Sequence, residues 1–376
     1  MYFTFYTDTN AYIEHYKNKA FFDLLKGITP NYTPLDSTTV NKTVVVSNEY
    51  AAKYKRYNPI RFSDTTIVTT PFDKSEIEQH YHSFRIPKKT NPKKFRQIDA
   101  PDELLKNHQS KLKFIFEYNL KALPHNAAHA YVKNRSTVTA IKVHQRNNSK
   151  WFLKLDLKDF FPSHNKEYII KMLKQVYPFG ALNNEEFAII ENQIDYALLN
   201  DRLPQGTPLS PLLTNITMVP IDHEITEALN NFDRKHFVYT RYADDLLISC
   251  KYNFNPKKVI HIINTIFKKF ETPFRINKEK TRYGSSAGRN WNLGIMLNKD
   301  NNLTIGHKNN QKFRAKLYDF ICNGDSWSRE QLQETLGLIA YYTNIEPEYI
   351  KYTINKYNKK YSTNIIKNMK KQIANP

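Results

Sequence analysis

The chain has 376 residues, 40% of them apolar and 14% aromatic, with a formal charge of +20 at neutral pH. That apolar share excludes a disordered chain, and only two cysteines exclude a disulfide framework or a cysteine-built zinc site. No apolar run of about 18 residues occurs, and the N-terminal "MYFTFYTDTNAYIEHYKNKA" lacks the basic-then-apolar layout of a secretory signal. The sequence therefore reads as a soluble cytoplasmic protein with no membrane partner.

Residues 1–84 form a mixed segment rich in Tyr, Thr and Asn, read as an N-terminal extension. It ends in a predicted helix over 73–84, "DKSEIEQHYHSF", after Pro71. A second helix is predicted over 102–121, opening just after Pro101 with apolar residues on one face. "SKWFLKLDLKDFFPSH" (149–164) holds an apolar run that reads as a buried strand stopped by Pro162, with helices following over 165–177 and 185–200. The stretch 203–231 opens with turn residues and continues as a helix from Ser210 to Asn231, where Pro211 suits the first turn and Pro220 predicts a kink. "HFVYTRYADDLLISCKY" (236–252) reads as a hairpin with Asp244 and Asp245 at its tip. An amphipathic helix over 256–271, a strand around "PFRIN" (273–277) and a second hairpin over 291–305 come next. Helices over 309–322, 329–342 and 347–360 complete the pattern. The order predicts an α+β sheet with helices packed on one face, followed by a helical lobe.

Two basic runs stand out from the general charge. Residues 85–96, "RIPKKTNPKKFR", carry six basic groups and no acid, and residues 351–376 carry seven lysines, no acid, and Tyr352, Tyr357 and Tyr361 between them. Cations interleaved with aromatics suit a phosphate backbone and stacked bases, so a nucleic acid is the expected partner.

Asp244 and Asp245 would repel each other, and burying either alone is costly. If the strand ending at Asp156 neighbours their hairpin, three carboxylates converge, an oxygen-ligand set suited to Mg2+ and a substrate phosphate. Taken singly, each is as well read as a solvated turn or a helix-capping Asp. His80 and His82 lack further spaced ligands, and His129 and His144 read as structural.

Six motifs then occur in order: "KKFRQIDAP" (93–101), "FLKLDLKDFF" (152–161), "LPQGTPLSPLLTNI" (203–216), "YADD" (242–245), "NKEKT" (277–281) and "NLG" (292–294). In this the chain resembles the reverse transcriptases, over about residues 85–345. The resemblance implies a right-hand polymerase fold, with fingers and an antiparallel, helix-backed palm over 85–305 and a helical thumb over 306–376. It implies RNA-directed addition of deoxynucleotides to a 3′-hydroxyl with two Mg2+ ions, Mn2+ being a substitute. Asp156 and Asp244 match the metal ligands, with Asp245 contributing less directly and the backbone at Leu157 completing the shell. Phe161 matches the aromatic gate against a 2′-hydroxyl. Gln205 and Gly206 match the nucleotide-binding turn, completed by Ser210, Pro211 and Asn215. Lys94 and Arg96, with Lys89 and Lys93 beside them, match the fingers' grip on the triphosphate. Lys280 matches a proton donor to pyrophosphate, and Gly294 belongs to the primer grip.

Within the family the chain looks most like compact bacterial members: retron, defence-associated and intron-encoded enzymes. "AYVKNRS" (130–136) is similar to their segment before the first catalytic strand. "TAIKVH" (139–144) departs from the retron Asn-Ala-x-x-His spacing, and "TIG" (304–306) only loosely echoes Val-Thr-Gly. These turn the expectation toward a defence-type enzyme copying its own structured RNA, with the oligomeric state left open. Untemplated or protein-primed synthesis, and a non-catalytic RNA-binding scaffold, are the alternative readings.

Overall fold

The computed structural model describes residues 71–374 except 89–90, 120–123, 177–178, 234–235 and 286–293, together with two strands nearer the N-terminus. These are β1 (Tyr2–Tyr6) and β2 (Asn41–Val45), an antiparallel pair. The rest of the N-terminal extension before Pro71, and Lys89, lie outside the described residues.

The predicted helix over 73–84 is replaced by a short 3-10 helix and a strand. Asp73 caps the turn Lys74–His80 by accepting a hydrogen bond from the Ser75 amide (2.8 Å), and the chain then extends as β3 (Tyr81–Lys88). β3 pairs antiparallel with β4 (Asn91–Pro101), so the basic run 85–96 is a hairpin, and the division at 84/85 falls inside a strand. Pro87 and Pro92 deny this stretch a helix, and the ladder's register shifts beside Pro87. α1 (Glu103–Asn119) follows as predicted, and α2 (Thr137–Arg146), which periodicity did not reveal, starts with a capping box between Ser136 and Thr139.

The central sheet has the order β6–β7–β5–β8, all antiparallel, with β5 Trp151–Asp156, β6 Val238–Tyr242, β7 Asp245–Cys250 and β8 Arg282–Ser285. "PFRIN" makes only one isolated bridge, Leu157 to Ile276, and the paired strand comes later at β8. α3 (Lys166–Leu173) and α4 (Asn184–Asp195) are both shorter than predicted. The predicted Ser210–Asn231 helix is broken at Met218 into α5 (Ser210–Thr217) and α6 (Val219–Asn230), where Pro220 in the first turn of α6 cannot continue the ladder. α7 (Pro256–Lys269) is capped by Asn255.

Strand alternation sorts the side chains onto two faces. Leu153, Leu155, Leu246 and Ile248 pack with α3 to α7 in the larger core. Phe152 and Leu247 point the other way and join Val138 and Ile141 of α2 and the C-terminal helices in a second core. Both faces are therefore covered in part, where the sequence predicted one. His144 of α2 bonds Ser249 (2.5 Å) and Thr240 (2.8 Å) on that second face; burial holds its pKa down to about 3, so it is neutral and structural.

Past the sheet, β9 (Met296–Leu297) and β10 (Leu303–Thr304) form a short hairpin, tied to α2 by reciprocal bonds between Gln145 and Asn301 of 2.8 Å each. The C-terminal lobe is α8 (Gly306–Asn323), α9 (Arg329–Ile345), α10 (Pro347–Lys360) and α11 (Ile365–Ala374). The first three match prediction closely, and α11 was not foreseen. No helix among the described residues is long and apolar enough to cross a membrane.

Candidate active site

β5 ends at Asp156 and β7 begins at Asp245, and the two residues are register partners. Tyr242 pairs with Asp245 across the hairpin, so Ala243 and Asp244 form its two-residue tip. Ala243 takes a left-handed φ of 55°, a conformation that two-residue hairpin turns use and that costs a residue with a side chain. The tip is pinned from outside: the Leu157 amide donates to the Asp244 carbonyl at 3.0 Å. The three predicted carboxylates are thus gathered at one end of the sheet.

Their electrostatics are those of carboxylates crowded together and partly buried. Asp244 is pushed up to about 6, first by burial and then by Asp245 and Asp156. Burial also raises Asp245, against the opposing pull of Lys154. Two ammonium groups answer the charge. Lys280 Nζ donates to Asp156 Oδ2 at 2.9 Å, and Lys154 Nζ lies 2.9 Å from Asp245 Oδ2. Burial works against the charge on Lys280, but its bond to Asp156 and the surrounding carboxylates hold its pKa above the ordinary value.

Among the described residues no three His, Cys, Asp or Glu side chains are drawn together on one point. The oxygens of Asp156 and Asp245 face lysines instead. The donor set nevertheless fits Mg2+, which takes one or two carboxylates plus waters and substrate phosphates rather than an all-protein cage.

Sequence reasoning missed three supports of this cluster. Asn277 reaches Asp156 twice, by its amide to the carbonyl (2.8 Å) and by Nδ2 to Oδ1 (3.2 Å). Lys154 stands two residues from both Phe152 and Asp156 along β5, a spacing that could have placed it on the carboxylate face. Beneath the hairpin, Arg241 is fully buried against fully buried Asp222 of α6, with Nη2 to Oδ2 at 2.8 Å and Nε to both oxygens. Its Nη1 donates to Asn215 Oδ1 at 3.1 Å and to the Ala243 carbonyl at 3.4 Å. An Arg inside "FVYTRYADD" and an Asp inside "MVPID" are charges within apolar runs, which is the signal that they are buried and paired.

The remaining predicted residues lie on several other elements. Phe161 is half-buried on the loop after β5, beside Phe160 in the larger core. Gln205 and Gly206 lie against β4: the Asp99 amide donates to the Gln205 carbonyl at 2.8 Å. Gly206 has φ +113°, and a Cβ there would sit 2.8 Å from Ile98 Cγ2. The close approach that this glycine permits is to the β3–β4 hairpin. Gly206→Ala is expected to cost about 1–3 kcal/mol through the strained φ and the clash, read as a lowered Tm; unchanged melting would show that β4 yields freely. Arg96 is exposed and shares a hairpin face with Ile98, Lys94 is exposed near the hairpin tip, and Ser210 bonds Thr207 at the start of α5. Gly294 (φ 87°) opens the β9–β10 hairpin, outside the carboxylate cluster. His80 bonds Asp102 at 2.6 Å, and His129 bonds Thr139 at 2.9 Å.

Residues 86–314, more than half of the chain, match the family described as reverse transcriptase (RNA-dependent DNA polymerase). The chain belongs to the reverse transcriptase family. It is 31% identical over 241 residues to the retron Ec73 reverse transcriptase of Escherichia coli, covering 63% of this chain and 74% of that protein. It is 30% identical over 310 residues to the retron Ec83 reverse transcriptase of the same organism, covering 79% and 92%. Among solved structures, a telomerase from Candida tropicalis matches with TM-score 0.44 and 16% identity over 74% of this chain and 55% of that one, too loose a likeness to bear on the assignment. The protein is a retron-like RNA-directed DNA polymerase. Its four-stranded sheet packs helices α3 to α7 on one face in the larger core, and α2 with the C-terminal helices on the other.

Proposed function

We propose that this reverse transcriptase copies an associated structured noncoding RNA into DNA as part of antiphage defence. The observation that carries the polymerase chemistry is the convergence of Asp156, Asp244 and Asp245 at one end of the palm sheet, each still a carboxylate. A retron reverse transcriptase matched over 92% of its own length supports the RNA partner.

Asp156 and Asp244, with the backbone at Leu157, would hold Mg2+, for which Mn2+ could substitute. Bound there, the ions would favour loss of the proton from the primer 3′-hydroxyl and would offset the charge on the leaving pyrophosphate. The 3′-oxygen forms a bond to the α-phosphorus, the bond from that phosphorus to the β-phosphate oxygen breaks, and the hydroxyl proton passes to solvent. Lys280, which donates to Asp156 at 2.9 Å, would give a proton to the pyrophosphate. Lys154 pairs with Asp245 and so screens part of the repulsion that Asp245 exerts on Asp244. Lys94 and Arg96 would grip the triphosphate, Gln205 and Gly206 would line the nucleotide turn, and Phe161 would exclude a ribose. The Gly294 hairpin would hold the primer. On the thumb, Tyr318, Tyr357 and Tyr361 cluster with Lys360 over the Tyr361 ring, a surface suited to a nucleic-acid backbone.

The test is to purify the protein from its host with its bound nucleic acid, add labelled deoxynucleotides and Mg2+, and sequence RNA and product together. DNA complementary to one discrete co-purifying RNA is the expected result. Noncomplementary or repetitive DNA would replace this reading with untemplated or protein-primed synthesis. Bound RNA without any product would point to the scaffold.

A further inference from the structure

Phe161 is an incomplete wall by itself. Its neighbour Phe160 is buried and ringed by His164 and Phe274. The backbone here is fixed too: His164 Nδ1 donates to the Phe160 carbonyl at 2.7 Å and the His164 amide to the Phe161 carbonyl at 3.0 Å. The Phe161 side chain, however, packs against the core on only part of its surface. A ring that can turn aside cannot exclude a hydroxyl.

Tyr131 meets that ring from the loop before α2. Its ring stands edge-on to Phe161, with centroids 6.1 Å apart and planes at 72°. Tyr131 has φ +61°, an outlier for a bulky side chain, and remains 49% exposed. Burial of its own hydrophobic surface therefore does not explain the strain. The backbone around it is tightly tied: Asn215 donates to the Ala130 carbonyl (2.9 Å), the His129 amide to the Arg241 carbonyl (2.8 Å), and Arg135 to the Ala128 carbonyl (2.7 Å). These ties hold the ring beside the catalytic hairpin. Burial raises the phenol's pKa first, and the charge of Asp244 adds to this while that of Arg96 opposes it.

We propose that Tyr131 is a positioning residue that braces Phe161 through its ring, so that exclusion of ribonucleotides depends on the aromatic pair. The inference rests on the reading of Phe161 as the sugar gate. What it adds is a second residue, on a different loop, that sets sugar specificity.

The test is single-nucleotide incorporation, comparing kcat/KM for a deoxynucleotide with that for the matching ribonucleotide. Phe161→Ala, Tyr131→Ala, Tyr131→Phe and the double alanine variant are measured beside the parent. Tyr131→Ala is expected to lower the deoxy-to-ribo preference about tenfold, a loss the size of one aromatic contact. Tyr131→Phe keeps the ring and should keep the preference. The double variant should discriminate no worse than Phe161→Ala alone, because both act through one wall. Tyr131→Leu, which retains apolar bulk without a ring, replaces the alanine variant where melting shows that the latter has not folded. A general loss of structure would lower both rates together and leave the ratio in place, which would overturn the proposal. So would parental discrimination in Tyr131→Ala while Phe161→Ala relaxes, or loss of discrimination in Tyr131→Phe. Parental discrimination in Phe161→Ala would instead remove the gate reading, and the brace with it.

Discussion

Replacing Asp244 by Asn is expected to end DNA synthesis while leaving the protein at least as stable as before. Asp244 is the carboxylate that the fold treats worst: its pKa is pushed up to about 6 by burial and by the charges of Asp245 and Asp156. An unfolded aspartate titrates near about 3.9, so the folded state binds the proton more tightly. Any stability from that proton is present in acid and is lost as pH rises through about 6. At neutral pH the ionised side chain is a burden that Asn would lift, and Tm without divalent cations should stay level or rise. Synthesis should fall by about a thousandfold or more, since a ligand to a catalytic cation contributes several kcal/mol to the transition state. Asp156→Asn should be as inactive, but slightly less stable, because it loses an ion pair to Lys280. That lysine is 60% exposed, which limits the pair to about 1 kcal/mol. Melting with and without Mg2+ gives a readout independent of turnover. The ion should raise the Tm of the parent more than that of Asp244→Asn, because binding to the native state alone adds stability. Near-parental synthesis by a folded Asp244→Asn variant would remove it from the metal set. A clearly lowered Tm would show that the carboxylate has a structural partner.

What the sequence revealed follows from which residues carry local signals. "WFLKLD" and "YADDLLISC" are short apolar runs ending or starting in Asp, and they pair in the register that joins Asp156 to Asp245. Pro211 and Pro220 act locally, and the helix pair breaks where Pro220 requires. The β3–β4 hairpin was hidden because its basic residues and two prolines mask the alternation, while the capped turn at Asp73 imitates the start of a longer helix. "PFRIN" looks like a strand, but the ladder on β5 is completed by "RYGS", a poor strand former whose pairing is set by the sheet rather than by its own residues. The departures at "TAIKVH" and "TIG" do not separate the chain from retron enzymes, which it matches at 30–31% identity. Within "TAIKVH", His144 serves as a buried bolt between α2 and the sheet. Asn277 and the Arg241–Asp222 pair were least legible, because their roles depend on contacts with residues 19 to 121 positions away.

That buried pair carries the other large effect. Arg241→Met would leave Asp222 ionised in the core with the Tyr239 hydroxyl, 2.7 Å away, as its remaining described side-chain donor. Breaking a buried ion pair from one side costs about 3–5 kcal/mol, a large part of the 5–15 kcal/mol that holds a typical protein together. The single variant should therefore melt far below the parent or fail to fold. Removing both charges, as Arg241→Met with Asp222→Leu, should recover much of the loss, since apolar residues of similar size replace a buried pair at little net cost. Recovery should be incomplete, because Tyr239 and Asn215 each lose a partner. Activity should not return with stability. Arg241 also donates to the Ala243 carbonyl, and Ala243 holds a left-handed turn next to Asp244. Without that bond the hairpin tip is free to relax, and an ångström of misplacement at a reacting centre can cost about a hundredfold. Melting, RNA retention and primer extension on the two variants distinguish the roles: a double variant that folds, keeps its RNA and polymerises at the parental rate would make the pair a folding device only. A stable, RNA-bound double variant with synthesis down by about a hundredfold would show that Arg241 sets the position of the catalytic turn from behind.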